Sequence, residues 1–121
     1  MNAPVTSFDA VSVAVLPPLA RFNLRLAPDD LAAASKAFGL TLPAKIGQGA
    51  RKDDRAAYCI GPDEWLLHAA AADQHAIVAA FNAVREKTPH SLVVISDREL
   101  TISVTGPAAL DLLSVACPLD L

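Results

Sequence analysis

Two stretches of the chain alternate cleanly between apolar and polar positions. In "RFNLRLA", Phe22, Leu24 and Leu26 fall on one side and Arg21, Asn23 and Arg25 on the other, the period of a half-buried strand. "LTISVT" repeats it, with Leu100, Ile102 and Val104 assigned inward and Thr101, Ser103 and Thr105 outward. "SLVVIS" is a short continuous apolar run that reads as a further strand. Helical spacing appears three times. In "APDDLAAASKAFG", Pro28, Asp29 and Asp30 suit a helix start, Leu31, Ala34, Ser35 and Phe38 make one stripe, and Gly39 caps the end. From Asp73, a second helix carries Ile77, Ala80, Phe81 and Val84 on its stripe, with Arg85 and Lys87 near its negative end. "GPAALDLLSVACP" reads as a third, started by Pro107, striped by Leu110 and Leu113 and stopped by Pro118.

Between these elements lies "CIGPDEWLLHA", with the only Trp, Trp65. A helix starting at Pro62 is one reading. The other is a hairpin: "AAYCI" as one strand, Gly61 to Glu64 as a four-residue turn, and Trp65 to His68 as the return strand. Pro at the second turn position and Asp at the third suit a type I turn, and Trp and Leu sit well in a strand, which favours the hairpin. Residues 43–55 are polar and contain two glycines, and read as the longest loop. Gly47 and Gly49 begin a phosphate-loop pattern, but Lys52 stands where its third Gly is required. The order β-α-β-β-α-β-β-α predicts a two-layer α+β sandwich of antiparallel or mixed sheet with helices. Residues 1–20 read as an extended arm ending at Pro17 and Pro18, and 21–121 as a single α+β domain.

Composition adds that the chain is oily. Of 121 residues, 53% are apolar and 19% charged, against about 45–50% and ~25% in ordinary domains. Either a partner covers some surface or alanine supplies the excess. A net charge of −3 offers no basic face for nucleic acid. The apolar run Val11–Leu16 is too short for a signal core or a membrane span. Cys59 and Cys117 lack metal-type spacing, and two cysteines in a domain of this size fit a reducing cytoplasm.

The catalytic inventory is thin. His68, His75 and His90 have no partner at three or four residues' spacing, so a metal site is not expected. No nucleophile lies beside a base in sequence, and Cys117, at a helix end, sits where the dipole disfavours a thiolate. Asp63 and Glu64 are adjacent, so along a turn their side chains are expected to diverge rather than converge on a substrate. Asp97 and Arg98 form a turn pair, either a clamp for a polar ligand or a surface ion pair. No catalytic, cofactor-binding or metal-binding residue is assigned.

Taken together, "IGPDEWLL" (60–67), the Ile95–Arg98 turn, the Thr105–Pro107 turn and the Cys117–Leu121 segment resemble the gamma subunit family of heterotetrameric sarcosine oxidase, over about residues 21–121. The resemblance implies a fold related to the folate-binding domain of the glycine-cleavage T-protein. It implies a structural, cofactor-free subunit of a cytoplasmic flavoenzyme that oxidatively demethylates sarcosine to glycine, with formaldehyde or methylenetetrahydrofolate and hydrogen peroxide. FAD, FMN, NAD and tetrahydrofolate are then expected in the partner alpha and beta subunits. Family members continue past the Cys-Pro-Leu-Asp-Leu segment by roughly a third, so the C-terminal part of the family fold is expected to be missing and isolated chains to self-associate. Asp63, Glu64 and Trp65 become candidates for a subunit contact, with Trp65 anchoring either that contact or the core. The alternative is a small folate- or amine-binding module related to aminomethyltransferases, with Asp63, Glu64 or Asp97 holding a pterin and Arg98 an anionic tail.

Overall fold

The computed structural model describes residues 5–8 and 10–121. The chain divides into two compact units: Leu19–Glu99, and a smaller one made of the chain up to Pro18 together with Leu100–Leu121.

The larger unit is an antiparallel five-stranded sheet covered on one face by two helices. Its strands are β3 (Leu19–Leu26), β4 (Gly49–Lys52), β5 (Arg55–Gly61), β6 (Glu64–Ala70) and β7 (His90–Val94), in the spatial order β4-β5-β6-β3-β7. The helices are α1 (Leu31–Phe38) and α2 (Gln74–Val84), each preceded by one 3-10 turn, over Pro28–Asp30 and Ala71–Asp73. The alternation of β3 sends Phe22 and Leu24 into the core. There they meet Cys59, Trp65 and Leu67 from the hairpin, Ala34 and Phe38 from α1, and Ile77 and Phe81 from α2. Gly39 ends α1 at φ +81°, a conformation that glycine adopts without a Cβ penalty. Beside it, the Arg55 guanidinium lies 5.3 Å from the Phe38 ring centroid, donates to the Phe38 carbonyl and pairs with Asp73 at 3.4 Å. One side chain of β5 thereby ties the end of α1 to the entry of α2.

The hairpin reading of "CIGPDEWLL" holds. Gly61 pairs with Glu64 across Pro62 and Asp63, and a register irregularity between Cys59 and Gly61 leaves Ile60 exposed. The expected loop over 43–55 needs correction, because its second half is strand. Lys52 pairs with Arg55 and Gly49 with Tyr58. "GARK" carries no apolar alternation because β4 is an edge strand with little of it buried.

The smaller unit is a three-stranded antiparallel sheet, β1 (Val5–Phe8), β2 (Val11–Val15) and β8 (Ile102–Thr105), in that order, with α3 (Ala109–Ser114). Of the arm expected over 1–20, residues 1–4 and 9 lie outside the described residues, while Val11–Val15 is strand. Backbone bonds close the unit: Leu16 N–H to the Thr101 carbonyl at 2.9 Å and Ala108 N–H to the Ala10 carbonyl at 3.1 Å. None of its described side chains is buried. Leu100 and Ile102, assigned inward from the pattern, are exposed, as are Leu110 and Leu113 of α3. The alternation marks apolar positions that the described residues of this unit leave exposed or half-buried.

Candidate functional site

The tip of the β5–β6 hairpin is held from below by β3. Glu64 lies opposite Arg25 in the register, accepts from Arg25 Nη2 at 3.1 Å and takes a hydrogen bond from Asn23 Nδ2 at 2.7 Å. Asp63 Oδ1 lies 3.9 Å from Arg25 Nη1, and its carbonyl accepts from the Leu26 amide at 3.2 Å. The two carboxylates, expected to diverge, both reach Arg25, because the cross-strand register sets that guanidinium between them. Exposed pairs of this kind contribute about 0–1 kcal/mol and keep the tip in shape. Trp65 is 1% exposed, faces the core and donates from Nε1 to the Pro43 carbonyl at 2.7 Å. The surface of the tip is thus made by Asp63 and Glu64, with Trp65 fixing it from within.

Asp97 and Arg98 sit on an exposed turn after β7 that is closed by the Arg98 amide to the Ile95 carbonyl at 2.9 Å. Arg98 lines an open cavity with Asn23, Val93, Ile95 and Glu99, and Asp97 is not among its lining residues. Sequence reasoning missed what holds this turn. Arg21, assigned to the polar side of β3, is only 2% exposed, because the 95–99 segment folds over it. The Arg21 amide donates to Ser96 Oγ at 3.0 Å, its carbonyl accepts from the Ile95 amide at 2.9 Å, and Nη1 donates to the Glu99 carbonyl at 3.0 Å. Ser96 Oγ in turn donates to Gln74 Oε1 of α2 at 2.6 Å. Strand alternation reports the side of a sheet, and a loop 75 positions away in sequence decides whether that side meets water.

His68 lies across from Arg21 on the same face, with its ring edge-on to Tyr58 at 5.6 Å. Its Nε2 is buried without a hydrogen-bond partner. Burial first, then the positive charge of Arg21, lower its pKa from the ordinary 6.5, with Arg51 adding to this and Glu99 opposing it. The unfolded chain takes up this proton as pH falls through about 6.5 while the folded chain resists it, so the stability that neutral His68 confers is complete above that pH and is lost below it. Denaturation midpoints of wild type should fall between about pH 7.5 and about pH 5 more steeply than those of His68→Gln. Parallel curves would show that His68 does not carry this dependence.

A second open cavity lies between α1 and β4, where Lys36, Arg51 and Lys52 accompany Ser35, Gly39 and Thr41. Among the described residues, no three His, Cys, Asp or Glu side chains gather around one point that could hold a metal ion, and no helix is long and apolar enough to cross a membrane. The polar groups at the hairpin tip and the 95–99 turn are largely engaged with one another, whereas the smaller unit presents apolar side chains to solvent. The described residues thus define a small α+β protein whose smaller unit has exposed apolar side chains.

Comparison with known proteins gives that class a family relation. The chain is homologous to sarcosine oxidase subunit gamma of Corynebacterium sp. (strain U-96), with 32% identity over 104 residues, 84% of this chain and 50% of the relative. The chain therefore spans about half the length of that relative. Its fold matches a chain of the heterotetrameric sarcosine oxidase from Corynebacterium sp. U-96, solved in complex with pyrrole 2-carboxylate. The TM-score is 0.81 at 28% identity, covering 96% of this chain and 60% of that one. No family model matches. The resemblance drawn from the hairpin and the turn motifs is borne out by both matches.

Proposed function

We propose that the chain acts as a gamma-type, non-catalytic subunit of a heterotetrameric sarcosine oxidase, a cytoplasmic flavoenzyme that oxidatively demethylates sarcosine to glycine. The observation that carries this reading is the combined likeness in sequence and fold to that complex. In this reading the alpha and beta subunits hold FAD, FMN, NAD and tetrahydrofolate. The Asp63–Glu64 tip, braced by Trp65, serves as a subunit contact. Asp97 and Arg98 form a polar-ligand clamp; Arg98 lines a cavity together with Asn23, which bonds Glu64.

The test is co-purification. Tagged chain expressed with the large flavin-bearing subunits of a heterotetrameric sarcosine oxidase should elute with them as a yellow complex on size exclusion, and the complex should oxidise sarcosine. Tetrahydrofolate titrated into the isolated chain should give no saturable signal in the micromolar range. A colourless chain that elutes alone, together with tight folate binding, would replace this reading with that of a folate-binding module.

A further inference from the structure

We infer that the groove between α1 and β4 takes an extended, acidic segment of a partner polypeptide, which adds to the sheet as a strand alongside β4. Both elements lie in the larger unit and line one open cavity of about 770 Å³, within the roughly 300–1,000 Å³ that ligand sites occupy. Ala32, Ser35 and Lys36 line it from α1, and Ala50, Arg51 and Lys52 from β4. The spacing of the first three is that of one helix face. The last three are consecutive in a strand, whose side chains point alternately to opposite faces, so a cavity that meets all three runs along the strand's edge. That edge ends the sheet, because among the described residues β4 pairs with β5 alone. The register shows which backbone groups it offers. The Cys59 amide donates to the Gln48 carbonyl at 3.0 Å, and Lys52 and Arg55 pair across the turn at Asp53 and Asp54. Bonded and non-bonded pairs alternate along an antiparallel ladder, so Gln48, Ala50 and Lys52 bond toward β5, while Gly49 and Arg51 point their amides and carbonyls outward. A groove with a helix face on one side and the free backbone of an edge strand on the other accepts an extended peptide by strand addition.

Charge selects the segment. Lys36, Arg51 and Lys52 are the charged residues that line the cavity, and no carboxylate lines it. The ion pairs among the described residues are made by Arg25 and Arg55, and neither lysine takes part in one. Ala50 packs against the core beneath the helices, so Lys52 shares its side of the strand. Arg51 takes the other side, where its Nη2 donates to Tyr58 Oη at 3.3 Å. The small side chains of Ala32 and Ala50 leave room for carboxylates of an incoming strand, flanked by Lys36 on the helix and Lys52 on the edge. A second copy does not fit, because β4 against β4 would set the same basic residues side by side, the use of charge that keeps sheet edges apart. An acidic strand meets those charges as attraction.

The experiment uses the full chain, with end-blocked peptides as probes. Glu-Val-Glu-Val-Glu should bind saturably at low salt and more weakly as salt rises. The same peptide N-methylated at every amide keeps its charge but donates no backbone hydrogen bond, and should bind on the order of tenfold more weakly or not at all. In hydrogen exchange read amide by amide, the first peptide should protect Gly49 and Arg51 and leave Ala50 and Lys52, already bonded to β5, unchanged. Lys36→Glu and Lys52→Glu together should weaken binding by on the order of tenfold. Arg51→Pro should abolish binding where Arg51→Gln retains most of it, because the proline removes an outward amide and is tolerated on an edge strand. Circular dichroism verifies that each variant is folded, and the N-methylated peptide tests strand pairing even where a variant fails that check. Equal binding of the two peptides would overturn strand addition in favour of general attraction between charges. No binding of Glu-Val-Glu-Val-Glu would overturn the site and leave the lysines as guards of the edge. Protection of Gly49 and Arg51 in the free chain would show the edge already covered, by a second copy where that protection rises with concentration, and would overturn the acidic partner. None of these outcomes bears on co-elution with the flavin-bearing subunits, so the subunit reading is tested separately.

Discussion

Replacing Trp65 with alanine should lower stability by about 3–5 kcal/mol, a large share of the roughly 5–15 kcal/mol that holds a domain together. Two losses combine. Trp65 is the largest of the fully buried side chains, sitting between Leu24 on β3 and Cys59 on β5 in the register, so its removal leaves a cavity in the centre of the sheet. Its indole N–H also fixes the Pro43 carbonyl at 2.7 Å, and so sets the path of the segment between α1 and β4. Trp65→Phe should separate the two effects, because it retains much of the bulk and loses the hydrogen bond, at about 1–3 kcal/mol. Urea denaturation followed by circular dichroism reads both variants. An alanine variant within about 1 kcal/mol of wild type would mean that the core collapses around the loss, at a cost well below what such cavities ordinarily carry.

The same residue shows what was legible in the sequence. The elements that bury the largest side chains of the larger unit announced themselves through period or punctuation. The alternation of β3, the stripe and Gly39 end of α1, the Gly-Pro-Asp-Glu turn and the stripe of α2 all match the structure, while Pro28 opens the 3-10 turn that precedes α1. These elements were readable because one face of each is buried, and burial imposes the pattern. Strand β4 was not readable, because "GARK" is an edge strand whose side chains are mostly exposed, and its pairing to β5 is made by backbone that leaves no mark on composition. Arg21 misled for the opposite reason. Its charge and position signal a solvated face, yet a distant turn covers it and the buried guanidinium is satisfied by the Glu99 carbonyl. At the candidate site, the acidic tip and the Asp97–Arg98 turn were visible as residues, but Arg25, Asn23 and Ser96, which organise them, become visible only once the register of β3 with β6 and β7 is known. In the smaller unit the apolar pattern of β8 and α3 was real, and the inward assignment of Leu100 and Ile102 failed because a pattern says which face seeks cover and not whether the same unit supplies it.

Gly106→Ala should open the smaller unit while leaving the larger one folded. Gly106 follows β8 at φ +115°, and a Cβ there would stand 2.4 Å from the Ala10 carbonyl oxygen, 3.0 Å from its carbon and 3.2 Å from Val11 Cα. All three are backbone atoms, so no side-chain rotation relieves the clash, and the dihedral strain adds about 1–3 kcal/mol. Relief requires the start of β2 to move away from the turn, which breaks the Ala108 N–H bond to the Ala10 carbonyl and loosens the β2–β8 pairing from Ser12–Thr105 to Val15–Ile102. Hydrogen exchange resolved by segment should show faster exchange over 11–15 and 102–105 and unchanged protection in β3 and β6. Gly47→Ala provides the contrast. It has a comparable positive φ of +89°, but a Cβ there meets nothing within 4 Å, so only the dihedral strain of about 1–3 kcal/mol applies and the β2–β8 amides should keep their protection. Equal, small effects of the two substitutions would mean that the close approach at Gly106 relaxes in solution.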